Sequence, residues 1–453
     1  MKAKRFFAVF LLLSLLISLA AAPRALAVED PDIQAKAALL VERDSGTVVY
    51  GKNIHDELYP ASLTKIMTAL LVLEAVDAGT LRLDQEITAT ASALSGLADA
   101  GSTANIKAGE TMSVENFLRC MLVVSANEAC NILAEATTGS VSSFVDRMNQ
   151  RAQELGCENT HFVNATGLHD PQHYTSAWDL YLITREALTH DEFLAICDQA
   201  DVYIPATNLS EQRHLYTTNY LLSAWRATGY VYKSAHGIKT GSTSDAGHCL
   251  VSSAVKGSMS FLSVVLGADK VVTNGKTDVK SFSETRRLFE WGFDNFAWQT
   301  VLTPNDMIGE VPVTLSRETE HVAVHPAEEV KALLPKDVKA ADLTRTVQLD
   351  SDTVEAPVTA GSKLGSVTLS YDGTDYVTVP IVALDDVSAS RVLTIWSQIQ
   401  HFFANPVVRI IGILILAALV ALLVWKLTLG RRRYRYGRSV RRGGGYRGRR
   451  FRR

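Results

Sequence analysis

The sequence predicts an α+β fold for the bulk of the chain, followed by a small β-rich domain and one membrane-crossing helix. Three observations point there. Short apolar strands with turn chemistry between them open the chain after residue 28 and return from Lys239, and the stretch between them has helical period. From Trp298 to Ser388 the texture changes to short alternating segments. Pro406 to Leu429 is almost wholly apolar.

Met1 to Ala27 carries Lys2, Lys4 and Arg5, an apolar run from Phe6 to Ala22, and the small-x-small stretch Ala25-Leu26-Ala27. This is the three-part pattern of a secretory signal, and it places the mature start at Val28. Ala37 to Val41 and Thr47 to Tyr50 flank Asp44-Ser45-Gly46 and predict a hairpin. Past Pro60, residues Leu63, Ile66, Met67, Leu70, Leu71 and Leu73 set a helical period. Ser113 to Ala136, Ser142 to Leu155 and Ser176 to Ala187 read as further helices. Strands return at Lys239 to Thr243, His248 to Ala254 and Ser260 to Leu266, and Phe282 to Phe296 reads as a closing helix. This first domain is placed at residues 28–297, and the β-rich domain at 298–388, on segments such as Val322-Ala323-Val324 and Tyr376-Val377-Thr378-Val379.

After a linker at 389–405, residues 406–429 are apolar on every face and long enough to cross a bilayer. The tail at 430–453 holds 12 arginines and no acid, so the positive-inside rule keeps it in the cytoplasm with the catalytic part outside. The tail is read as a stop-transfer device, with anionic lipid or RNA as its alternative ligands. The chain as a whole has 45 basic and 48 acidic residues. Without the 18 bases of the signal, the apolar span and the tail, 27 remain against 48 acids, a net of −21 that does not suit nucleic acid. Five cysteines, an odd count in a long chain, read mainly as buried free thiols.

Three short motifs carry the chemistry. Ser62-Leu63-Thr64-Lys65 stands at the start of a helix, where a residue three positions on lies one turn up the same face. Lys65 can therefore reach the Ser62 hydroxyl, and a lysine kept partly neutral by burial or a second cation can serve as its base. Ser125-Ala126-Asn127 falls on the turn after an apolar helix. It offers a hydroxyl to relay a proton and an amide to hold a peptide bond, although Ser125 alone would read as a helix N-cap. Lys239-Thr240-Gly241, followed by Ser242, suits an edge strand. There Lys239 and Thr240 can take a carboxylate, and Gly241 lets a substrate backbone lie close. Each motif is common alone. Their order, with about 60 and then about 115 residues between them, is not.

On these motifs the chain resembles the low-molecular-mass penicillin-binding proteins, the serine-type D-alanyl-D-alanine carboxypeptidases. The likeness extends through Pro60 to Ala69, Ser125-Ala126-Asn127-Glu128-Ala129, Phe162 to Leu168 and Gly237 to Gly247. It implies a β-lactamase/transpeptidase-like domain that needs no cofactor and no metal. It also implies peptidoglycan stem peptides as substrates and β-lactams as covalent inhibitors. Ser62 would be acylated, Lys65 would be the base and Ser125 the relay. Asn127, Lys239, Thr240, Gly241 and Ser242 would hold substrate, and the backbone N–H groups of Ser62 and Ser242 would form an oxyanion hole. A class A β-lactamase needs a loop glutamate in a Glu-x-x-Leu-Asn pattern. The corresponding stretch here reads Asn164-Ala165-Thr166-Gly167-Leu168. An idle wall-binding protein of the same fold is disfavoured by three intact motifs. His161, His169, Asp170 and His173 match no zinc-ligand spacing.

Overall fold

In the computed structural model, residues 28–97 and 101–429 are described. The signal segment and the arginine-rich tail lie outside them. The chain forms two compact units. The first runs to Val301 and adds Lys331–Thr344 and Leu369–Val377. The second takes Leu302–Val330, Arg345–Thr368 and the residues from Thr378. The first unit therefore recruits two pieces from beyond residue 298. One reason is that the strand Val330–Pro335 pairs with Phe296–Leu302, a strand that starts at the end of the closing helix.

The core of the first unit is a five-stranded antiparallel sheet. Its strands lie in the order Val48–Lys52, Ala37–Glu42, Met259–Ala268, Gly247–Lys256 and Ala235–Thr243. Early and late strands thus lie side by side, as the sequence pattern predicts. Ala37–Glu42 is buried at every residue because both faces of the sheet are covered. Successive side chains point to opposite faces. Leu39, Val41, Leu262 and Val264 join the helical region, while Ala38, Leu40, Phe261 and Val265 pack with Leu288, Phe289 and Phe293 of the helix Lys280–Asn295. Gly292 makes that second packing possible, since a Cβ there would stand 2.7 Å from Leu40.

The helix Lys65–Asp77 has all of Lys65 to Leu73 buried, so it is the hub of the helical region rather than an amphipathic surface helix. The helical stretch read over Ser113 to Ala136 is two helices, Val114–Val123 and Asn127–Thr138, divided at the turn on which Ser125-Ala126-Asn127 was read. The break falls at Ser125, whose φ of 69° is left-handed and interrupts the helical ladder. Three further pieces were not read from the sequence: the helix Asp191–Cys197 and the small hairpins Glu86–Thr88 with Thr111–Ser113 and Asp201–Ile204 with Arg213–Tyr216. All five cysteines are free thiols, four of them buried.

The second unit is built on a six-stranded sheet in the order Thr344–Leu349, Lys363–Tyr371, Thr374–Ala383, His321–Pro326, Gly309–Thr314 and Val354–Glu355. Val322 and Val324 are buried on either side of a half-buried Ala323, the period-2 signal of a strand with one covered face. Residues 389–405, read as a linker, contain the helix Arg391–Ala404. Val392, Ile395, Trp396, Ile399, Phe402 and Phe403 are exposed along it. It is followed by Pro406–Leu429, a helix of 24 residues along which Ile410, Leu414, Leu419 and Trp425 are among the exposed apolar side chains.

Candidate active site

Ser62 sits in the 3₁₀ turn Ala61–Thr64 that leads into the Lys65–Asp77 helix. Ala61 is left-handed, with φ 48°, an uncommon conformation for a residue with a side chain. Two contacts hold it there. The Thr64 hydroxyl donates to the Ala61 carbonyl at 2.9 Å, and Gly167 lies so close that a Cβ on it would be 1.9 Å from that same oxygen. Thr64 is itself oriented by His173, whose Nε2 is 2.8 Å from Thr64 Oγ1. His173 Nδ1 accepts from the Val163 N–H at 3.2 Å, so the proton is on Nε2. Burial holds the His173 pKa down at about 4 and keeps the ring neutral.

Lys65 Nζ donates to Ser62 Oγ at 2.9 Å, to Asn127 Oδ1 at 2.8 Å and to the Thr166 carbonyl at 2.6 Å. Three acceptors satisfy an ammonium. With the proton lost, two carbonyls still take the two N–H bonds, which leaves the lone pair facing the Ser62 hydroxyl. Ser125, 3% exposed, stands at the helix break, and its Oγ accepts from Lys239 Nζ at 3.0 Å. Lys239 Nζ also donates to the Thr240 carbonyl at 3.0 Å. Among the described residues, these partners of the two buried amines are hydroxyls and carbonyls. Burial therefore lowers both pKa values, and the like charge of Lys65 adds to the effect on Lys239, which is pushed down to about 7. Glu128 is next in sequence to Asn127, but its carboxylate is turned to Thr103 Oγ1 and the Ala104 N–H.

These groups open on a cleft of about 240 Å³ lined by Ser62, Ser125, Thr240, Gly241 and Ser242 together with Ser102, Thr218, Tyr220, His248 and Lys270. The structure thus brings all eight sequence-predicted residues to one place. Ser125 caps no helix, since the N-cap of the following helix is Ala126. Gly241 is needed for a reason besides the one its motif suggests. A Cβ there would be 2.7 Å from the Pro60 carbonyl and 3.2 Å from Ala61 Cβ, so glycine lets the nucleophile turn pack on the edge strand. The Thr166 carbonyl was missed, because a backbone acceptor leaves no residue type to read. So was Thr218, whose hydroxyl lies 2.6 Å from that of Thr240.

A serine beside two buried lysines, a second serine and an asparagine at one sheet edge is an acyl-transfer constellation. The D-alanyl-D-alanine carboxypeptidase family profile matches residues 24–270, and the penicillin-binding protein 5 C-terminal domain profile matches residues 296–389. The chain belongs to the D-alanyl-D-alanine carboxypeptidase family. The family is one of serine-type hydrolases that act on peptidoglycan peptides and bind β-lactams. Among its members, the carboxypeptidase DacF of Bacillus subtilis is 31% identical over 361 residues, 80% of this chain and 88% of its own length. DacC of Escherichia coli is 31% identical over 366 residues, 80% of this chain and 86% of its own. The crystal structure of penicillin-binding protein 5 from Haemophilus influenzae superposes with a TM-score of 0.64 at 30% identity, covering 80% of this chain and all of that one.

Proposed function

We propose that this chain removes the terminal D-alanine from stem peptides of peptidoglycan through an acyl-enzyme on Ser62. The observation that carries the reading is the Lys65 amine, buried, 2.9 Å from Ser62 Oγ and fixed by two carbonyls. Neutral Lys65 takes the Ser62 proton as Oγ attacks the penultimate carbonyl carbon. The developing oxyanion lies toward the Ser62 and Ser242 N–H groups, one such donor being worth about 2.7–4 kcal/mol. Ser125, held by Lys239, gives its hydroxyl proton to the departing amine as the C–N bond breaks and takes in its place the proton that Lys65 removed from Ser62, which returns Lys65 to the neutral form. Water then attacks the ester by the reverse path, releasing the shortened peptide and restoring Ser62.

Lys239 and Thr240 take the terminal carboxylate. A bound anion favours the charged form of Lys239, and that charge in turn disfavours a proton on Lys65. Substrate binding therefore leaves the base neutral where it is needed. Asn127 accepts from Lys65 through Oδ1 and holds the substrate backbone through its amide, so the residue couples base and substrate. Gly241 and Ser242 belong to the substrate-facing edge of the same strand, and the first domain at 28–297 is the catalytic one.

Residues 406–429 cross the membrane. As a helix they span about 36 Å, against about 30 Å of hydrocarbon. The catalytic unit lies on the outer side and the arginine tail inside. The test is D-alanine release from a soluble pentapeptide ending in D-Ala-D-Ala. Full-length protein in detergent should release one equivalent per peptide, and Ser62→Ala none. Release by the Ser62→Ala protein would overturn the assignment.

A further inference from the structure

Beside the cleft, four aromatic rings form one continuous stack. Tyr203 lies on His214 at 4.0 Å between centroids with planes 12° apart, His214 lies 4.2 Å from Tyr216, and Tyr216 lies on Trp225 at 4.1 Å and 6°. The stack is pinned by hydrogen bonds as well as by contact. His214 Nε2 is bonded to the Asp201 carboxylate, and the Tyr216 hydroxyl is 2.9 Å from His214 Nδ1. The first three rings stand on the hairpin Asp201–Ile204 with Arg213–Tyr216, and Trp225 folds back onto it.

The stack ends in an open face. Trp225 is 66% exposed although Tyr216 covers one side of its indole, and among the described residues no other ring or cation covers the opposite side. Surface tryptophans need no explanation when they lie singly. Here, however, an indole is held by a rigid stack, so most of the ordering cost of binding a ligand has already been met. Arg226 is exposed beside it, and a guanidinium nitrogen donates to the Tyr216 carbonyl at 3.3 Å.

The place is as informative as the chemistry. Tyr216 is two residues from Thr218, which lines the catalytic cleft, and two residues of extended chain span at most about 7 Å. A five-residue peptide with its C-terminus in the cleft reaches at most about 18 Å from the reacting end. This rim therefore lies within reach of the sugar that carries a stem peptide.

Resting on the peptidase reading above, we propose that the free face of Trp225 is a subsite for the glycan of peptidoglycan, stacking the apolar C–H face of an acetamido-sugar while Arg226 donates to its oxygens. Trp225 is a binding residue outside the catalytic machinery. It acts by holding the glycan end of the substrate whose peptide end is in the cleft.

The test compares two substrates on full-length protein in detergent: a free pentapeptide ending in D-Ala-D-Ala, and the same peptide on its acetamido-sugar disaccharide. The wild type should show a KM at least about tenfold lower for the disaccharide form. Trp225→Ala should abolish that advantage while leaving kcat/KM on the free peptide within twofold, and Trp225→Tyr should restore part of it. Equal KM values in the wild type, or a Trp225→Ala loss that is the same on both substrates, would overturn the proposal. A second arm uses glycan strands stripped of peptide. The wild type should co-sediment with them and Trp225→Ala should not, and equal sedimentation of the two would refute the subsite whether or not either protein releases D-alanine.

Discussion

Replacing Gly167 by alanine should damage the active site without touching a catalytic side chain. The added Cβ would lie 1.9 Å from the Ala61 carbonyl oxygen and 2.4 Å from its carbon, whereas ordinary contact begins at 3.4 Å. The turn that carries Ser62 must therefore retreat by about 1.5 Å, or the Asn164–Leu168 loop must move away and carry the Thr166 carbonyl off Lys65. Gly167 also has φ 80°, which costs roughly 1–2 kcal/mol for a residue with a side chain. Overpacking adds about 1–3 kcal/mol, so the folded state should lose about 2–5 kcal/mol. A misplacement of about 1 Å in a catalytic group is worth about 10²-fold in rate. Stopped-flow acylation by a fluorescent penicillin should therefore be about 100-fold slower in Gly167→Ala at a temperature where circular dichroism shows it folded. Gly167→Asn separates the two causes, because asparagine tolerates the left-handed region but keeps the Cβ. It should be as slow as the alanine variant. Acylation within twofold of wild type in either variant would refute the claim that this contact sets the position of Ser62.

Three further outcomes follow from the same geometry. Lys239→Met should stabilise the fold while abolishing carboxypeptidase activity. Lys239 has its pKa lowered from 10.5 in water to about 7 in the fold. The unfolded chain then holds the extra proton between pH 7 and 10.5, and stability lost to this residue is recovered as pH rises through that window. At pH 7 the loss is on the order of 4 kcal/mol, and denaturation that shows no gain in the variant would contradict it. KM for the pentapeptide should rise roughly tenfold from pH 7 to pH 8.5 as unliganded Lys239 loses its proton, and a flat profile over that range would count against a carboxylate site there. His173→Ala should slow acylation about tenfold by freeing Thr64 and the Ala61 carbonyl, and His173→Gln, which can still donate to Thr64, should recover part of it; equal rates in the three proteins would remove His173 from the support of the turn.

How much of this was legible beforehand differs by residue. Ser62, Lys65, Ser125, Asn127 and Lys239 could be found because side-chain chemistry recurs at fixed spacing on the expected elements. The α+β order was legible from the same source, since the apolar runs of Ala37 to Val41 and Ser260 to Leu266 are what a sheet covered on both faces requires. The break at Ser125 was only half visible. Apolar period continues from Phe117 through Leu133, and nothing in it announces a left-handed serine. Gly241 shows the limit most clearly. Its identity pointed to the site, but the sequence did not show that the protein's own Pro60 carbonyl also needs the space. The Thr166 carbonyl depends on a loop meeting the helix in space, and the aromatic stack on a hairpin that was not read from the sequence and on Trp225 folding back onto it.

The account stands on acylation of Ser62, and intact-mass spectrometry of the full-length protein after benzylpenicillin treatment tests it most directly. One adduct of the mass of the antibiotic is expected on the wild type, persisting for many minutes because no loop glutamate activates a deacylating water, and none on Ser62→Ala. An adduct of the same mass on the Ser62→Ala protein would contradict the account.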